Sequence, residues 1–231
     1  IYLYNCVNGL LSDNTCLNNL ARISLESSDG ITVSDNTCTG NDYAIYLYDS
    51  DSNDVSGNDC DSNNLCGIYL ESSSSNALTD NLCSNDNYGI YLTMSDADPS
   101  SLNTISNNTC SNGIKGIYIV SSSDGNTLIN NTCFSNTNEG IEISASSGNN
   151  MINNTCSNNG RGIYLGGSYN NNVTNNSCSS NNQDGIVLGS SSSNTLSNNN
   201  CSNNDQRGIW IIASSADTIS LNQICNNTLQ G

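Results

Sequence analysis

The chain has 231 residues, of which 35% are hydrophobic and 11% charged, and it contains no histidine. Its formal net charge of −17 argues against nucleic acid and anionic membrane surfaces as partners, because both bind clustered lysine and arginine. No stretch approaches the roughly 20 apolar residues of a membrane-spanning helix, so we expect no membrane insertion. A composition this polar is typical of disordered chains unless a regular pattern orders it.

Such a pattern runs along the whole chain. An isoleucine, most often within Gly-Ile-Tyr-Leu, returns at intervals of 22 to 27 residues. These residues are Ile1, Ile23, Ile45, Ile68, Ile90, Ile117, Ile141, Ile163, Ile186 and Ile209. A fixed period in this range predicts a solenoid. We therefore expect one domain, residues 1–231, made of about ten repeats of 22–27 residues.

Each repeat contains two short segments in which apolar and polar residues alternate, such as Ile-Tyr-Leu. Alternation with a period of two predicts strands, and no helical apolar stripe is found. Leucine-rich repeats share this length but need a constant Leu-x-x-Leu-x-Leu frame, which is missing. The predicted fold class is all-β, a parallel β-helix in which each repeat forms one rung.

The repeat reads approximately Gly-Ile-Tyr-Leu, then Ser, then Asn-x-Ile, then Asn-x-Cys. It resembles the right-handed parallel β-helix repeat (NosD-like) family and is similar to Asn/Ser-rich surface or sheath proteins of methanogenic archaea. The resemblance implies a right-handed coil. The copper that the NosD name suggests finds no histidine and only Met94 and Met151, so we expect no cofactor.

A cysteine column keeps the period of the isoleucines. Its members are Cys16, Cys38, Cys60, Cys83, Cys110, Cys133, Cys156, Cys178, Cys201 and Cys225. Zinc sites need close pairs of ligands, which this spacing does not supply, and buried cysteine packs as a small apolar side chain. We therefore predict a packing ladder of free thiols. Cys6 and Cys66 lie outside the column and are predicted to occupy turns, where they could form intermolecular disulfides.

Three further columns are predicted to serve the coil itself. Leu78, Ile105, Leu128, Ile152, Val173 and Leu196 are expected to form an inward wall. Asparagines two residues before each column cysteine, from Asn14 to Asn199 with Gln223 in the last rung, are expected to stack as an amide ladder. The recurrent glycine before the isoleucine, interrupted by Arg22 and Ala44, suits a tight corner or a left-handed backbone.

Charges of alternating sign precede this glycine in successive rungs. The column consists of Lys115, Glu139, Arg161, Asp184 and Arg207, and it holds three of the four basic residues of the chain. Because a slip by one rung would place like charges together, we interpret the column as a control of register. A catalytic lysine or arginine, as in β-helix polysaccharide lyases, is the functional alternative.

The residue after the isoleucine is predicted to point outward and is often aromatic. This column contains Tyr46, Tyr69, Tyr91, Tyr118, Tyr164 and Trp210. A sheet face with this much apolar surface can bind sugar rings or pack against another subunit. The competing interpretation is the simple preference of tyrosine for strands.

Two weaker patterns concern modification and metal binding. Asn-x-Ser/Thr sequons at Asn107, Asn130, Asn153, Asn172, Asn175, Asn200 and Asn226 are glycosylation candidates if the chain is secreted. Carboxylates at Asp49, Asp51 and Asp54, or at Asp96 and Asp98, could take Ca²⁺, although the first group lacks the glycine and glutamate of an EF-hand loop.

Uniform rungs without a catalytic constellation lead to the expectation that the chain is not an enzyme. Only Asp59 and Asp61 approach a polygalacturonase-like acid pattern. The sequence favours a structural protein of the cell surface, extracellular and archaeal, that assembles with itself through uncapped ends or its aromatic face into a sheath, envelope or filament. The alternative is a carbohydrate-binding or polysaccharide-active β-helix that uses the tyrosine face.

Overall fold

The computed structural model describes residues 1–17, 23–95 and 98–229, and these residues form a coil of parallel strands. Its first sheet has ten strands. They are β1 (Tyr2–Tyr4), β4 (Ile23–Glu26), β7 (Tyr43–Tyr48), β9 (Cys66–Glu71), β12 (Tyr88–Thr93), β15 (Lys115–Val120), β18 (Glu139–Ser144), β21 (Arg161–Gly166), β23 (Ile186–Gly189) and β25 (Ile209–Ile212).

The second sheet also has ten strands. They are β2 (Leu10–Ser12), β5 (Thr32–Ser34), β8 (Asp54–Ser56), β10 (Ala77–Thr79), β13 (Thr104–Ser106), β16 (Thr127–Ile129), β19 (Asn150–Ile152), β22 (Asn172–Thr174), β24 (Thr195–Ser197) and β26 (Thr218–Ser220).

The third side of the coil is formed by shorter ladders. Strands β11 (Leu82–Ser84), β14 (Thr109–Ser111), β17 (Thr132–Phe134) and β20 (Thr155–Ser157) make one sheet, and β3 (Thr15–Leu17) pairs with β6 (Thr37–Thr39). The predicted fold class, a parallel β-helix of about ten rungs, is confirmed. The described residues include no helix that is long and apolar enough to cross a membrane.

In-register pairing brings equivalent residues of successive rungs together, so that Ile68, Ile90 and Ile117 lie above one another. The core contains these isoleucines, the leucine or isoleucine two residues later, the second-sheet wall and the column cysteines. One residue of that wall was predicted wrongly. Met151, rather than Ile152, is the buried partner of Leu128 and Val173. The Asn150–Ile152 strand reads Asn-Met-Ile, in which both Met151 and Ile152 are apolar, so alternation alone did not fix its phase.

The cysteines from Cys16 to Cys201 are buried free thiols, and pairs such as Cys110 and Cys133 lie in register. Cys225 does not belong to this ladder. It is exposed and lies beside Ser202, while the backbone N–H of Cys201 donates to Gln223. The last described rung keeps the normal length, because the backbone N–H of Asn199 donates to Asn222 and that of Asn204 to Asn227, each 23 residues on. Ile224 takes the place of the column cysteine beside Gly208, and Cys225 follows one residue later.

Cys66 is also placed differently from the prediction. It begins β9 and is buried in register with Tyr43 and Tyr88. A turn location open to an intermolecular disulfide is therefore wrong for Cys66. Cys6 is half-buried and packs against the core.

The recurrent glycine exists because of the cysteine column. A Cβ atom on Gly89 would lie 2.8 Å from Cβ of Cys110 and 2.7 Å from the carbonyl oxygen of Gly116. Neither Gly89 nor Gly116 has a left-handed backbone, so that part of the prediction is wrong. Glycine at this position allows the first sheet to pack against the column cysteine, which a larger side chain would prevent. Arg22 lies outside the described residues.

Amide ladders hold the corners. The backbone N–H of each asparagine donates to Oδ1 of the equivalent asparagine one rung on, as from Asn108 to Asn131 at 3.0 Å. The ladder ends at Asn222 rather than Gln223. Gln223 was predicted by counting two residues back from Cys225, which lies one residue beyond the column position. Two more asparagine ladders and one serine ladder were not predicted. Their representative links are Asn103 to Asn126, Asn159 to Asn181 and Ser146 to Ser168.

Candidate functional site on the aromatic face

The outward surface of the first sheet carries the predicted aromatic column, and we call it the aromatic face. Tyr46, Tyr69, Tyr91 and Tyr118 stack in register with ring centroids 5.1 Å apart at each step. Tyr43 and Tyr88 add tilted or stacked rings beside them. Because the rings stack on one another, their flat sides are largely occupied. This column therefore offers ring edges and hydroxyl groups rather than open flat surfaces for a sugar ring.

Glu142 interrupts the stack one rung after Tyr118. It takes the place of a fifth tyrosine between Tyr118 and Tyr164. Its carboxylate accepts a hydrogen bond from the Ser144 hydroxyl at 2.7 Å and lies 2.5 Å from Nζ of Lys115. Lys115 also lies over the Tyr118 ring, 3.9 Å from its centroid. The interruption thus replaces an aromatic contact with an ion pair.

Glu139 lies beside this pair, and its charge is shared by two cations. Lys115 is 3.9 Å from one of its oxygens, and Nη1 of Arg161 is 3.3 Å from the other. Burial raises the pKa of Glu139 to about 6, with a further contribution from the neighbouring Glu142 carboxyl, against the lowering effect of the two cations. We call Lys115, Glu139, Glu142 and Arg161 the ion cluster. A carboxyl group with this pKa can exchange a proton near neutral pH.

A shallow pocket opens next to the ion cluster. Its volume is about 190 Å³, and it is lined by Asn138, Glu139, Gly160, Arg161 and Gln183. Nε of Arg161 is buried and finds no acceptor among the described residues. A buried carboxylate with a raised pKa and an unsatisfied guanidinium donor, both at an open pocket, are the features expected of a functional site.

The predicted charge column is split into two groups. Its upper part is a separate pair, in which Nη1 of Arg207 lies 3.4 Å from the buried Asp184. Arg207 also stacks over Trp210, 4.0 Å from the ring. No ion pair between Arg161 and Asp184 is found in the described part of the chain. Alternating signs predicted the partners within each group, but the role of Glu142 was missed because it lies in the tyrosine column.

The next prediction to compare is the pair of aspartate groups that could take Ca²⁺. Oδ1 of Asp51 accepts the backbone N–H of Ser74 at 2.6 Å, and Asp49 accepts from Ser27. Asp54 is exposed on β8, and Asp96 lies outside the described residues. No group of three metal-binding side chains forms among the residues described. Asp49, Asp51 and Asp54 therefore do not form such a group in the described part of the chain, and the pair of Asp96 and Asp98 stays a prediction.

Comparison with protein families places the chain. The profile described as right-handed beta helix region matches residues 1–133, and the profile described as periplasmic copper-binding protein (NosD) matches residues 96–231. The chain belongs to the NosD-like right-handed β-helix family. A search of curated protein sequences finds no match.

Solved structures with this fold include carbohydrate enzymes. A variant of the periplasmic alginate epimerase AlgG superposes with a TM-score of 0.75 at 18% identity, covering 87% of this chain and 55% of the epimerase. The A-module of the mannuronan C-5 epimerase AlgE4 from Azotobacter vinelandii gives 0.67 at 14% identity, covering 99% and 80%. The Dettilon tailspike protein gives 0.67 at 13% identity, covering 96% and 55%. The chain thus spans about half the length of AlgG.

These comparisons correct the expectation that the chain is not an enzyme. Uniform rungs do not exclude catalysis, since alginate epimerases and a DFA-IIIase from Arthrobacter chlorophenolicus A6 share the coil. The identities of 13 to 18% for these structures establish the fold alone.

The copper named in the family description does not fit the residues of this chain. The sequence has no histidine, and Met151 is fully buried in the core. Hydrogen bonding to Cys156, together with burial, raises the pKa of Cys133 against the lowering effect of Cys110, and burial raises the pKa of Cys178. Both are therefore thiols rather than the thiolates that bind soft metals. No role for copper follows from this arrangement.

Proposed function

We propose that this chain is an extracytoplasmic polysaccharide-active protein that binds its substrate along the aromatic face. The observation that carries the proposal is Glu139, a buried carboxyl group with a pKa of about 6 beside an open pocket. The extracytoplasmic location is supported by the periplasmic description of the family and of AlgG.

The shape of the face favours a long ligand. A pocket of about 190 Å³ is smaller than the roughly 300–1,000 Å³ of most small-molecule sites. An open pocket of this size suits one residue of a chain that continues along the sheet. The hydroxyl groups of the tyrosine stack can then contact neighbouring sugars by hydrogen bonds.

Two carboxyl groups and a lysine can carry general acid–base chemistry at the bound sugar. Glu139 is the candidate proton acceptor or donor, and Lys115 links it to Glu142. The terminal guanidinium nitrogens of the partly exposed Arg161 supply donors for a sugar hydroxyl or ring oxygen. General acid–base groups of this kind contribute about 10²–10⁴-fold to a rate.

The test is a screen of polysaccharides for binding by affinity electrophoresis and for turnover by mass spectrometry and NMR. Glu139→Gln should lower the turnover rate by about 10²-fold or more while the fold is retained. Asp54→Asn is the matched control, since Asp54 is exposed on the second sheet. Equal turnover in wild type and Glu139→Gln, or no binding of any polysaccharide, contradicts the proposal.

A further inference from the structure

Four of the predicted sequons fall on one line of the coil. Asn107, Asn130, Asn153 and Asn175 each precede a buried ladder asparagine by one residue. All four are exposed, and their φ values of 56° to 59° place them in left-handed turns. They lie where each second-sheet strand ends, one residue after β13, β16, β19 and β22. We call these four residues the asparagine stripe.

Within this turn, the two adjacent asparagines place their side chains in different environments, one exposed and one buried. In the pair Asn130 and Asn131, the second side chain is buried and donates to the carbonyl oxygen of Ile105 at 2.8 Å. Within the described residues the first makes a hydrogen bond through its backbone alone, whose N–H donates to the carbonyl of Ile152 at 3.1 Å. Its side-chain amide therefore points away from the ladder and is reachable from solvent.

We infer that the asparagine stripe is a modification site, at which N-linked glycans are attached in successive rungs. Each acceptor has the hydroxyl residue that the sequon requires two positions later, namely Thr109, Thr132, Thr155 or Ser177. These hydroxyl residues lie at the start of the third side of the coil, in the same turn. Two of the other sequons differ, since Asn172 is half-buried within β22 and Oδ1 of Asn200 is buried. The third, Asn226, is exposed with φ 57° but belongs to another line of the coil, because it precedes Asn227 of the Asn204 ladder.

The stripe and the candidate site occupy different surfaces. The acceptors lie at the junction of the second and third sides, whereas the ion cluster lies on the first sheet. Glycans on the stripe would leave the aromatic face open. Because rungs are about 4.8 Å apart and glycans are bulky, attachment at one rung should hinder attachment at the next.

The chain contains matched positions for a gain of modification. Asn198 continues the stripe with φ 55°, but the residue two positions later is Asn200. Asp35 occupies the same turn earlier, with φ 56°, and is followed by Asn36 and Thr37. Asn200→Thr and Asp35→Asn each complete a sequon in a turn of the same geometry.

The experiment is glycopeptide mass spectrometry of the chain secreted from a eukaryotic host that attaches N-linked glycans. We expect glycans on the stripe, with occupancy at least severalfold above that of Asn172. Thr132→Ala should remove the glycan at Asn130, Thr132→Ser should keep it, and Asn200→Thr and Asp35→Asn should each add one. Loss of the Asn130 glycan should raise occupancy at Asn107 and Asn153.

Two results would overturn the inference. One is a folded, secreted chain with no glycan on any stripe residue. The other is modification that follows the sequons without regard to position, with Asn172 as occupied as Asn130. Polysaccharide binding measured on the same samples keeps this outcome separate from the proposed function, on which the inference does not depend.

Discussion

Lys115 and Glu142 are joined across one rung by a contact of 2.5 Å, at the point where the stack of tyrosines stops. The same lysine covers the last ring of the stack, Tyr118. The pair therefore marks the boundary between the stacked tyrosines and the polar part of the face. This relationship makes the ion cluster testable without disturbing the core.

Replacing Glu142 by tyrosine should extend the aromatic stack and remove the polar part of the face. Stacking on Tyr118 should contribute about 0.5–1.5 kcal/mol, which offsets part of the lost ion pair with Lys115. We expect a melting temperature close to that of wild type, together with loss of polysaccharide turnover. Thermal unfolding checks the melting temperature and the turnover assay checks the loss of activity. Glu142→Gln is the control that removes charge alone. Full turnover by Glu142→Tyr would contradict a role for the cluster.

Removing the shared cation should be costly. In Lys115→Ala, Glu139 and Glu142 face each other in a partly buried setting without their common partner. We expect a loss of about 1–3 kcal/mol in unfolding free energy at pH 8, and a smaller loss at pH 5, where Glu139 is protonated. Urea unfolding at the two pH values measures this. The double variant Lys115→Met with Glu142→Gln should be milder, and equal losses at both pH values would argue against the charge explanation.

Asp86 should make the coil less stable as pH rises. It occupies a place in an asparagine ladder, where it accepts the N–H of Asn63, and its Oδ2 is buried without a partner among the described residues. Burial raises the pKa of Asp86 from 3.8 to about 8. The protonated form is thus favoured in the folded state. The stabilisation that protonated Asp86 contributes to the fold is fully present below about pH 4. It is lost as the pH rises to about 8, by up to about 1.4 kcal/mol per pH unit.

Asp86→Asn should remove this pH dependence. The equivalent ladder asparagines Asn63 and Asn136 donate to the carbonyls of Cys38 and Cys110, and the new amide should do the same in its own rung. Unfolding free energies from pH 4 to pH 8 measure the slope. Asp124→Asn, at an exposed position, is the control. An unchanged slope in Asp86→Asn would show that another group is responsible.

The cysteines should differ sharply in reactivity. Hydrogen bonds from Ser202 and Gln223 lower the pKa of the exposed Cys225, while burial raises the pKa of Cys66. A thiol reagent should label Cys225 rapidly and Cys6 more slowly in the folded chain. The cysteines from Cys16 to Cys201 should react only after unfolding. Peptide mapping after timed labelling tests this, and rapid native labelling of Cys110 or Cys133 would contradict the buried ladder.

The charge of the face should disfavour polyanionic sugars. Lys115, Arg161 and Arg207 are all paired with carboxylates, and the net charge of the chain is −17. A neutral polysaccharide should therefore bind more tightly than a polyuronate of equal length at low salt. Added salt should narrow the difference by screening. Calorimetry at low and high salt checks this, and stronger polyuronate binding at low salt would refute it.

The period of the sequence was enough to predict the coil, since a strict repeat in register allows each column to be read from one residue per rung. Local phase was harder to predict. Met151 and Ile152 are both apolar, and only packing against Leu128 shows which one faces inward. Ile224 also replaces the cysteine of the last rung, and a search for the nearest cysteine selects Cys225, one residue later, instead.

The candidate site was predicted only in part because it combines two columns. Lys115, Glu139 and Arg161 stood out through their alternating signs, but Glu142 looked like an interruption of the tyrosines. Strict alternation would place the side chain two residues before the isoleucine on the inward face. Alternation breaks at the glycine, because Gly116 and Ile117 are both buried while Lys115 and Tyr118 are partly exposed, and this break brings the two columns together. Lys115 is long enough to bridge them. Stacking geometry was also beyond the sequence, which could not show that the tyrosine rings cover one another.

The repeated rung gives this protein a unit of growth. Each ladder link joins a residue to its equivalent one rung on, so a segment of 22 or 23 residues, as from Asn131 to Asn154 or from Asn154 to Asn176, could be duplicated or removed with every column still continuous. Such a change would lengthen or shorten the aromatic face in steps of about 4.8 Å. The ion cluster would remain intact wherever the cut fell outside residues 115–161. Evolution can therefore change the length of the aromatic face without rebuilding the ion cluster.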